Sequence, residues 1–491
     1  MHHVGSAVSA RARAWQLMVV SAVLVLSAGL VGCLPMQKTA PQAKVQVGAL
    51  YTDPIGTWYH QSVTSELFGS PAVGDLGNGR QSVVAGYPDG NVYVWDVATG
   101  ARTLKYWTGS GSVQSSPTLV DLNGDGQKDI LTANTGGDVV GFDHAGKRLF
   151  WAHSGIDRVH KGGNFATPVA ADLNKDGKLE IIETSWDHHL YVWTLAGKAM
   201  PGFPIFLQDT SWSTPAIGDL NGDGYPDIVF GYDCDGVPGQ DCYTNFRARG
   251  GYVTAIDRLG RRLQGWPRFV RDQVIWSSPA LADLNGDGRL DVVVGTGNMP
   301  MPGGKQVLAF NGNGTPLAGW PSPTLGIVMA SPAVGDMTGD GRPEVAIVAS
   351  DGALYIIGRD GKWLVRQCIG NSIAKCGSNL HTSVSMADVD GDGRQEAIVG
   401  AEQHVWVVRG NGTIAYSGLI WEGPGNSYYP FNGAPTVAKV NGRVRAFLMG
   451  GRPGYGGHVR VGAVYSWDLG PDLGGSLGWQ TFHKNMGRTG R

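Results

Sequence analysis

The stretch Ser278-Pro279-Ala280-Leu281-Ala282-Asp283-Leu284-Asn285-Gly286-Asp287-Gly288-Arg289-Leu290-Asp291, continuing into Val292-Val293-Val294, decides the fold. A short apolar segment leads into an acidic loop punctuated by glycine, and a β-branched run follows. Glycine allows tight winding of the backbone, and β-branched residues suit a half-buried pleated surface. The same pattern recurs with its first aspartate at 121, 172, 219, 283, 336 and 388. A shortened copy, Ser70-Pro71-Ala72-Val73-Gly74-Asp75, precedes these, and a degenerate one, Ala434-Pro435-Thr436-Val437-Ala438-Lys439, follows. The eight anchors are spaced by 46, 51, 47, 64, 53, 52 and 51 residues.

Each unit reads as β structure throughout. After the loop and its apolar run, a Gly/Asp turn leads to an alternating strand, as in Asn91-Val92-Tyr93-Val94-Trp95 and Leu190-Tyr191-Val192-Trp193. A further element follows in several units: Gly202-Phe203-Pro204, Gly265-Trp266-Pro267 and Gly319-Trp320-Pro321. Four strands per unit, repeated at this period with no sustained helical periodicity, predict a β-propeller. The expectation is an all-β ring of eight four-stranded blades. Because the eighth unit lacks the acidic loop, seven blades with a terminal appendage is the alternative.

These units resemble FG-GAP repeats, the building blocks of the integrin α-chain propeller, and the related VCBS repeats. The first unit spells Phe68-Gly69 before its loop and Gly86-Tyr87-Pro88 after it. The resemblance covers roughly residues 56–470. Integrin heads have seven such blades, against the eight units counted here. Ring closure has two competing strands. Trp58 precedes Asp75 by the same interval as Trp266 precedes Asp283, so the segment from Gly56 is the favoured outer strand of the last blade. Gly478-Trp479-Gln480-Thr481-Phe482 resembles that strand too.

The loop spacing fits calcium, a hard cation that takes six to eight oxygens in flexible geometry. Side chains at positions 1, 3 and 5 converge as the chain coils, position 7 offers a carbonyl, and an acid at position 9 closes the shell. Six loops are complete: Asp121/Asn123/Asp125/Asp129, Asp172/Asn174/Asp176/Glu180, Asp219/Asn221/Asp223/Asp227, Asp283/Asn285/Asp287/Asp291, Asp336/Thr338/Asp340/Glu344 and Asp388/Asp390/Asp392/Glu396. Up to six calcium ions are expected, with the Thr338 loop the weakest. An EF-hand would need an acid at position 12, where five loops carry Thr132, Phe230, Val294, Ile347 or Val399, with Glu183 the exception. A metal-free Asx turn is the plainer alternative, but carboxylates crowded in one loop repel one another if unpaired.

At the N-terminus, Arg11 and Arg13 precede an apolar stretch from Leu17 to Val31, too short for a comfortable membrane span. It ends in Leu30-Val31-Gly32-Cys33, which resembles a bacterial lipobox and implies cleavage before Cys33 and lipidation of its sulfur. An ordinary signal peptide is the alternative. The expected organisation is a lipoprotein signal peptide over 1–32, a lipidated N-terminus and short linker over 33–50, and the propeller over 51–491. Four further cysteines, Cys234, Cys242, Cys368 and Cys376, suit disulfides in an oxidising compartment. Three connectivities are open; the two local pairs are favoured because each lies within one turn-rich segment. A zinc site lacks a histidine or a second Cys pair at ligand spacing.

Net charge is −2 with no basic tract, which argues against a nucleic-acid partner. Glycine reaches 76 of 491 residues without a collagen-like period, as many tight turns require. The loops should share one face, and the insertions at 233–250, 296–304 and 368–376 should fall on the other. Loops on a rigid scaffold are where binding residues gather, and in integrins ligand likewise meets the face away from the calcium loops. Phe68, Phe165, Trp212 and Trp276, each seven residues before an anchor, either form a stacking platform for sugars or wedge between blades. His188-His189 occupies a turn where other units have Asp-Gly and reads as a solvated turn.

The expected function is that of a cell-surface calcium-binding propeller that binds an extracellular protein or glycan without catalysis, touching the membrane through its lipid anchor alone. One alternative is a polysaccharide-active enzyme of lyase type, although no nucleophile-and-base arrangement or acid pair at motif spacing supports it. Another is an envelope assembly scaffold, since Asn91–Trp107 resembles one repeat of the quinoprotein-like propellers.

Overall fold

The computed structural model describes residues 69–155, 163–234, 249–297, 304–369, 376, 382–401, 404–419, 433–453, 460–481, 483–485 and 490. The signal-peptide and linker segments, Cys33, Trp58, Phe68 and Cys242 lie outside these. The strands form eight separate antiparallel sheets, each a meander of consecutive strands. Blades 1 to 8 occupy 72–107, 118–153, 169–206, 216–271, 280–323, 333–368, 385–419 and 436–471. Seven have four strands, and the eighth has three among the described residues.

First strands touch first strands of the neighbouring blades, including blade 8 against blade 1, so they line the axis and the ring is closed. Second and third strands are covered on both faces by adjacent blades. This is why Asp291–Thr296 and Glu344–Ala349 are buried along their whole length and read as continuous apolar runs. The outermost strand Arg102–Trp107 has only one covered face and alternates accordingly. Cores lie between blades: Ile182 and Val192 of blade 3 pack with Ile217, Ile228 and Phe230 of blade 4.

The Ser/Thr-Pro of the repeat builds the ring directly. The backbone N–H of Ser70 donates to Ser116 Oγ, Ser116 to Thr167 Oγ1, Thr167 to Thr214 Oγ1, Thr214 to Ser278 Oγ, Ser278 to Ser331 Oγ and Ser331 to Ser383 Oγ, all at 2.9–3.0 Å. Ala434 N–H returns to Ser70 Oγ at 2.7 Å. One link of the eight is missing, from blade 7 to blade 8, because Ala434 has no hydroxyl. The Gly-Trp-Pro elements precede the fourth strand rather than forming it, and their indoles tie blades together: Trp266 Nε1 donates to Gly312 O at 2.9 Å and Trp320 Nε1 to Arg359 O at 3.0 Å.

The C-terminal segment, the less favoured of the two candidate closing strands, does not take that place. Residues 478–481 do not add an outer strand to any blade. Trp479 instead bridges Met386 in the first strand of blade 7, with Met386 N–H on Trp479 O at 2.6 Å and the return bond at 2.9 Å. Val437 N–H in blade 8 donates to Gln480 O at 2.6 Å. Further on, His483 Nε2 donates to Pro279 O at 2.8 Å and Leu281 N–H in blade 5 to Gly490 O at 2.8 Å. The segment therefore enters between the inner strands of blades 7 and 8 and reaches across the axis to blade 5. Trp479 is 1% exposed there, against 6% for Trp266 and 7% for Trp320.

Candidate functional site

All six complete loops connect first and second strands and share one face. In the loop from Asp121, Oδ1 accepts the N–H of Gly124 at 2.7 Å and Oδ2 that of Gly126 at 2.8 Å. Asn123 Oδ1 accepts Asp125 N–H at 2.9 Å, and Asp125 Oδ1 accepts Gln127 N–H at 2.8 Å. The Oδ2–Gly bond recurs at Asp172, Asp219, Asp283, Asp336 and Asp388 at 2.8–3.0 Å. These bonds wind the chain so that positions 1, 3 and 5 face one centre. Gly222 and Gly224 take φ of 77° and 88° to do so.

The acid at position 9 closes each loop from below. Asp129, Glu180, Asp227, Asp291, Glu344 and Glu396 are buried and each accepts the N–H of position 2 at 2.9–3.0 Å. Burial, and then the charges of the acids at positions 5 and 1, push these carboxyls up. Asp129 and Asp291 rise to about 6, Asp227 and Glu396 to about 7, and Glu180 and Glu344 rise as well. Among the described residues no Lys or Arg pairs with the acids of the first five loops. Arg409 meets Asp390 of the last at 2.8 Å. A hard cation at the loop centre would relieve both causes of the shift, so the donor set fits calcium.

The loops are not identical. Asp388, Asp390 and Asp392 bring one oxygen each within 4.8 Å of the others, the one group of three acidic, histidine or cysteine side chains to do so among the described residues. Elsewhere the position-3 amide leans on position 5, as Asn123 and Asn221 Nδ2 donate to Asp125 and Asp223 at 3.1 Å, with Asn285 and Asn174 doing the same to Asp287 and Asp176 at longer range. Thr338 Oγ1 donates toward Glu344 at 3.4 Å beside Asp336 and Asp340. Blade 1 closes its loop on three amides donating to Asp75 Oδ1 and has no ninth acid. Blade 8 replaces the loop with a two-residue hairpin at Asn441-Gly442, both at positive φ. Lys439, at the first-aspartate position, pairs with Asp472 at 2.8 Å.

The opposite face carries the strand two-to-three turns and the interblade connections. Cys234 ends a strand there and is disulfide-bonded; 235–248 lie outside the described residues. Cys368 pairs with Cys376, one of the two local pairs expected. Phe165, Trp212 and Trp276 do not wedge singly between blades. With Trp186 they form one array, Phe165–Trp186 at 4.1 Å, Trp186–Trp212 at 4.4 Å, Phe165–Trp212 at 4.9 Å and Trp212–Trp276 at 5.1 Å. All four rings remain half-buried across three consecutive blades. Trp276 Nε1 donates to Asp233 Oδ2 at 2.9 Å, which places a carboxylate beside the rings. Trp186 and Asp233 went unforeseen, since neither belongs to the repeat pattern.

His188-His189 is a correction. Both are buried, His189 Nδ1 bonds Asp187 O at 2.8 Å, and its ring packs on Phe206 at 5.4 Å. The outer strand Ile205–Phe206 covers the turn, so it is not solvated.

The family described as FG-GAP-like repeat matches residues 121–183, 172–230 and 283–347. Cartilage acidic protein 1 of Mus musculus is 26% identical over 236 residues, 44% of this chain and 33% of the relative. Its Homo sapiens counterpart is also 26% identical over 236 residues, 44% and 32%. The chain thus spans about a third of the length of these relatives. A crystal structure of the computationally designed Ika8 protein superposes with a TM-score of 0.51 at 15% identity, covering 84% of this chain and 97% of that one.

Proposed function

We propose that this chain, an FG-GAP-repeat β-propeller, is an exported, calcium-braced binding protein that takes an extracellular protein or glycan ligand on the face opposite its acidic loops, without catalysis. The observation that supports this most is the half-buried aromatic array of Phe165, Trp186, Trp212 and Trp276 beside the Asp233 carboxylate. Aromatic rings offer large, rigid contact area, with faces that prefer polarised C–H and N–H edges. Calcium in the six loops would stabilise the folded ring by binding it in preference to the unfolded chain. The Cys368–Cys376 disulfide fits an extracellular setting, and Cys33 at the end of the apolar leader suits a lipid anchor.

Glycan and protein arrays probed with the mature chain, with and without calcium, test the reading. Retention that is lost in Trp212→Ala, with the ligand recovered unchanged, is expected. Equal retention by the variant, or shortened polysaccharide in the eluate, would overturn it.

A further inference from the structure

A group of polar side chains lies sealed between blades 2 and 3 and belongs neither to the acidic loops nor to the aromatic array. Glu183 is the fourth of five residues in the strand Glu180–Thr184, where the equivalent positions of blades 2, 4, 5, 6 and 7 carry Thr132, Phe230, Val294, Ile347 and Val399. It is 0% exposed, and neither carboxylate oxygen has a hydrogen-bond partner. Strand alternation puts Ser185 on the same side, and the register sets Tyr191 directly opposite. Asp187 follows, also 0% exposed, with Oδ2 held by the N–H of Gly155 at 2.6 Å and by Tyr191, and with Oδ1 lacking a hydrogen bond.

Blade 2 and the segment after it complete the enclosure. Ser154 Oγ bonds Asn164 Oδ1 at 2.9 Å and lies 3.4 Å from Ser185 Oγ, all three residues being 0% exposed. Asn164 Nδ2 has no partner. Turning the amide over would let Nδ2 donate to Ser154 and bring the oxygen inward, since the two ends have nearly the same shape. Among the described residues no Lys or Arg enters this space. The one basic group at hand is His189, whose Nδ1 lies 3.7 Å from Asp187 Oδ1.

Two buried carboxyl groups with open oxygens are costly unless a proton or a cation meets them. Burial and the neighbouring Asp187 push the Glu183 carboxyl well up. For Asp187, burial alone would act the same way, but the nearby His189 and hydrogen bonds from Tyr191 and Gly155 hold it below the ordinary range, so it stays ionised. A proton on Glu183 would still leave Asp187 Oδ1 and, with the amide turned over, the oxygen of Asn164 unmet. We infer that the interface of blades 2 and 3 holds a hard, oxygen-seeking cation, calcium or sodium in class, with Glu183 and Asp187 as its anionic ligands and Ser154, Ser185 and Asn164 as neutral ones. Its place is the end of the strand that turns into Trp186, so the ion would fix the turn that sets the middle of the aromatic array. This site is independent of the acidic loops on the other face.

Crystals of the mature chain grown in calcium chloride, and in sodium chloride free of calcium, test the inference, by anomalous scattering for calcium and by oxygen contacts shorter than a hydrogen bond for sodium. One peak at ligand distance from Glu183 and Asp187 is expected, and the salt that produces it identifies the ion. Glu183→Val, the residue of blades 5 and 7, should abolish this peak and keep those of the acidic loops. Glu183→Gln serves the same purpose with the side-chain shape retained should the valine variant not fold. A water or empty density in both salts overturns the inference, as does a peak that persists in either variant. Absence of ions from the acidic loops alone would instead defeat the calcium-braced reading and leave this one standing.

Discussion

Ser278→Ala removes one member of the hydroxyl circuit that joins the blades, and its cost follows from the geometry. Ser278 Oγ accepts the Thr214 N–H at 2.9 Å in a fully buried setting. Alanine fits the space but leaves that N–H unsatisfied, a penalty of about 1–3 kcal/mol for a buried neutral donor. Unfolding entropy is about 2.1 cal/mol/K per residue, so a ring of about 400 residues should melt about 1–4 °C lower. The converse change is Ala434→Ser, which supplies the acceptor missing between blades 7 and 8. Its Oγ would take the Ser383 N–H and return about 0.5–1.5 kcal/mol. Calorimetry with residue-resolved hydrogen exchange reads both effects, because the Thr214 amide must lose protection in the first variant and the Ser383 amide gain it in the second. An unchanged melt with an unchanged Thr214 amide in Ser278→Ala would refute the view that the Ser/Thr-Pro hydroxyls hold the ring.

The calcium-free protein should lose stability as pH rises from about 4 to about 7. The closing carboxyls of Asp129, Asp227, Asp291 and Glu396 are raised from 3.8 or 4.5 to about 6–7, so the folded state holds more protons than the unfolded one in that window. Melting curves across pH in chelator should slope downward, and excess calcium should remove the slope; a flat chelator series would count against the carboxyl crowding. Trp479→Ala should cost about 3–5 kcal/mol, because the indole is 1% exposed between the inner strands of blades 7 and 8; denaturant titration measures it, and a loss under 1 kcal/mol would show the axial segment to be weakly seated. Replacing Cys368 and Cys376 together by alanine should cost about 2–3 kcal/mol, from the short loop they close over a sequence separation of 8, with no change in calcium uptake because the pair lies on the opposite face.

Blade number, strand order and the face bearing the acidic loops were legible because each depends on local pattern repeated at a fixed period. What was hidden depends on partners far apart in the chain. The Ser or Thr that opens a unit, followed by proline in six of them, marks the repeat in sequence, but its hydroxyl serves the backbone of a neighbouring unit, 46–64 residues away along the chain and 364 where the ring closes. Gly478-Trp479 looks like Gly265-Trp266 by composition, but Trp266 bonds the next blade through Gly312 while Trp479 pairs with the inner strand of blade 7. His188-His189 reads as a polar turn until Phe206, brought alongside by strand pairing, covers it. Glu183 showed itself only as an exception at one loop position, since burial is not written in a single residue.

Blade 8, whose first strand closes the ring on that of blade 1, carries a salt bridge where six other blades carry an acidic loop. Blades 2 to 7 each crowd three or four carboxylates into one loop, a repulsion that a cation would relieve. At blade 8 the chain supplies its own cation, Lys439, in the place of the first aspartate, and answers it with Asp472 at 2.8 Å. Asp472 opens the C-terminal segment, which then packs on the loop of blade 7: Asp388 N–H donates to Ser476 O at 2.8 Å, and a Cβ on Gly475 would lie 2.2 Å from Asp388 O. Glycine is required there because the backbones touch. The Lys439 pair therefore does more than replace a loop, since it starts the segment that crosses the axis to blade 5. Closure is thereby assigned to covalently tethered groups whose local concentration does not vary, and the six loops whose donors would take an ion are those whose neighbours are already held by the continuous chain.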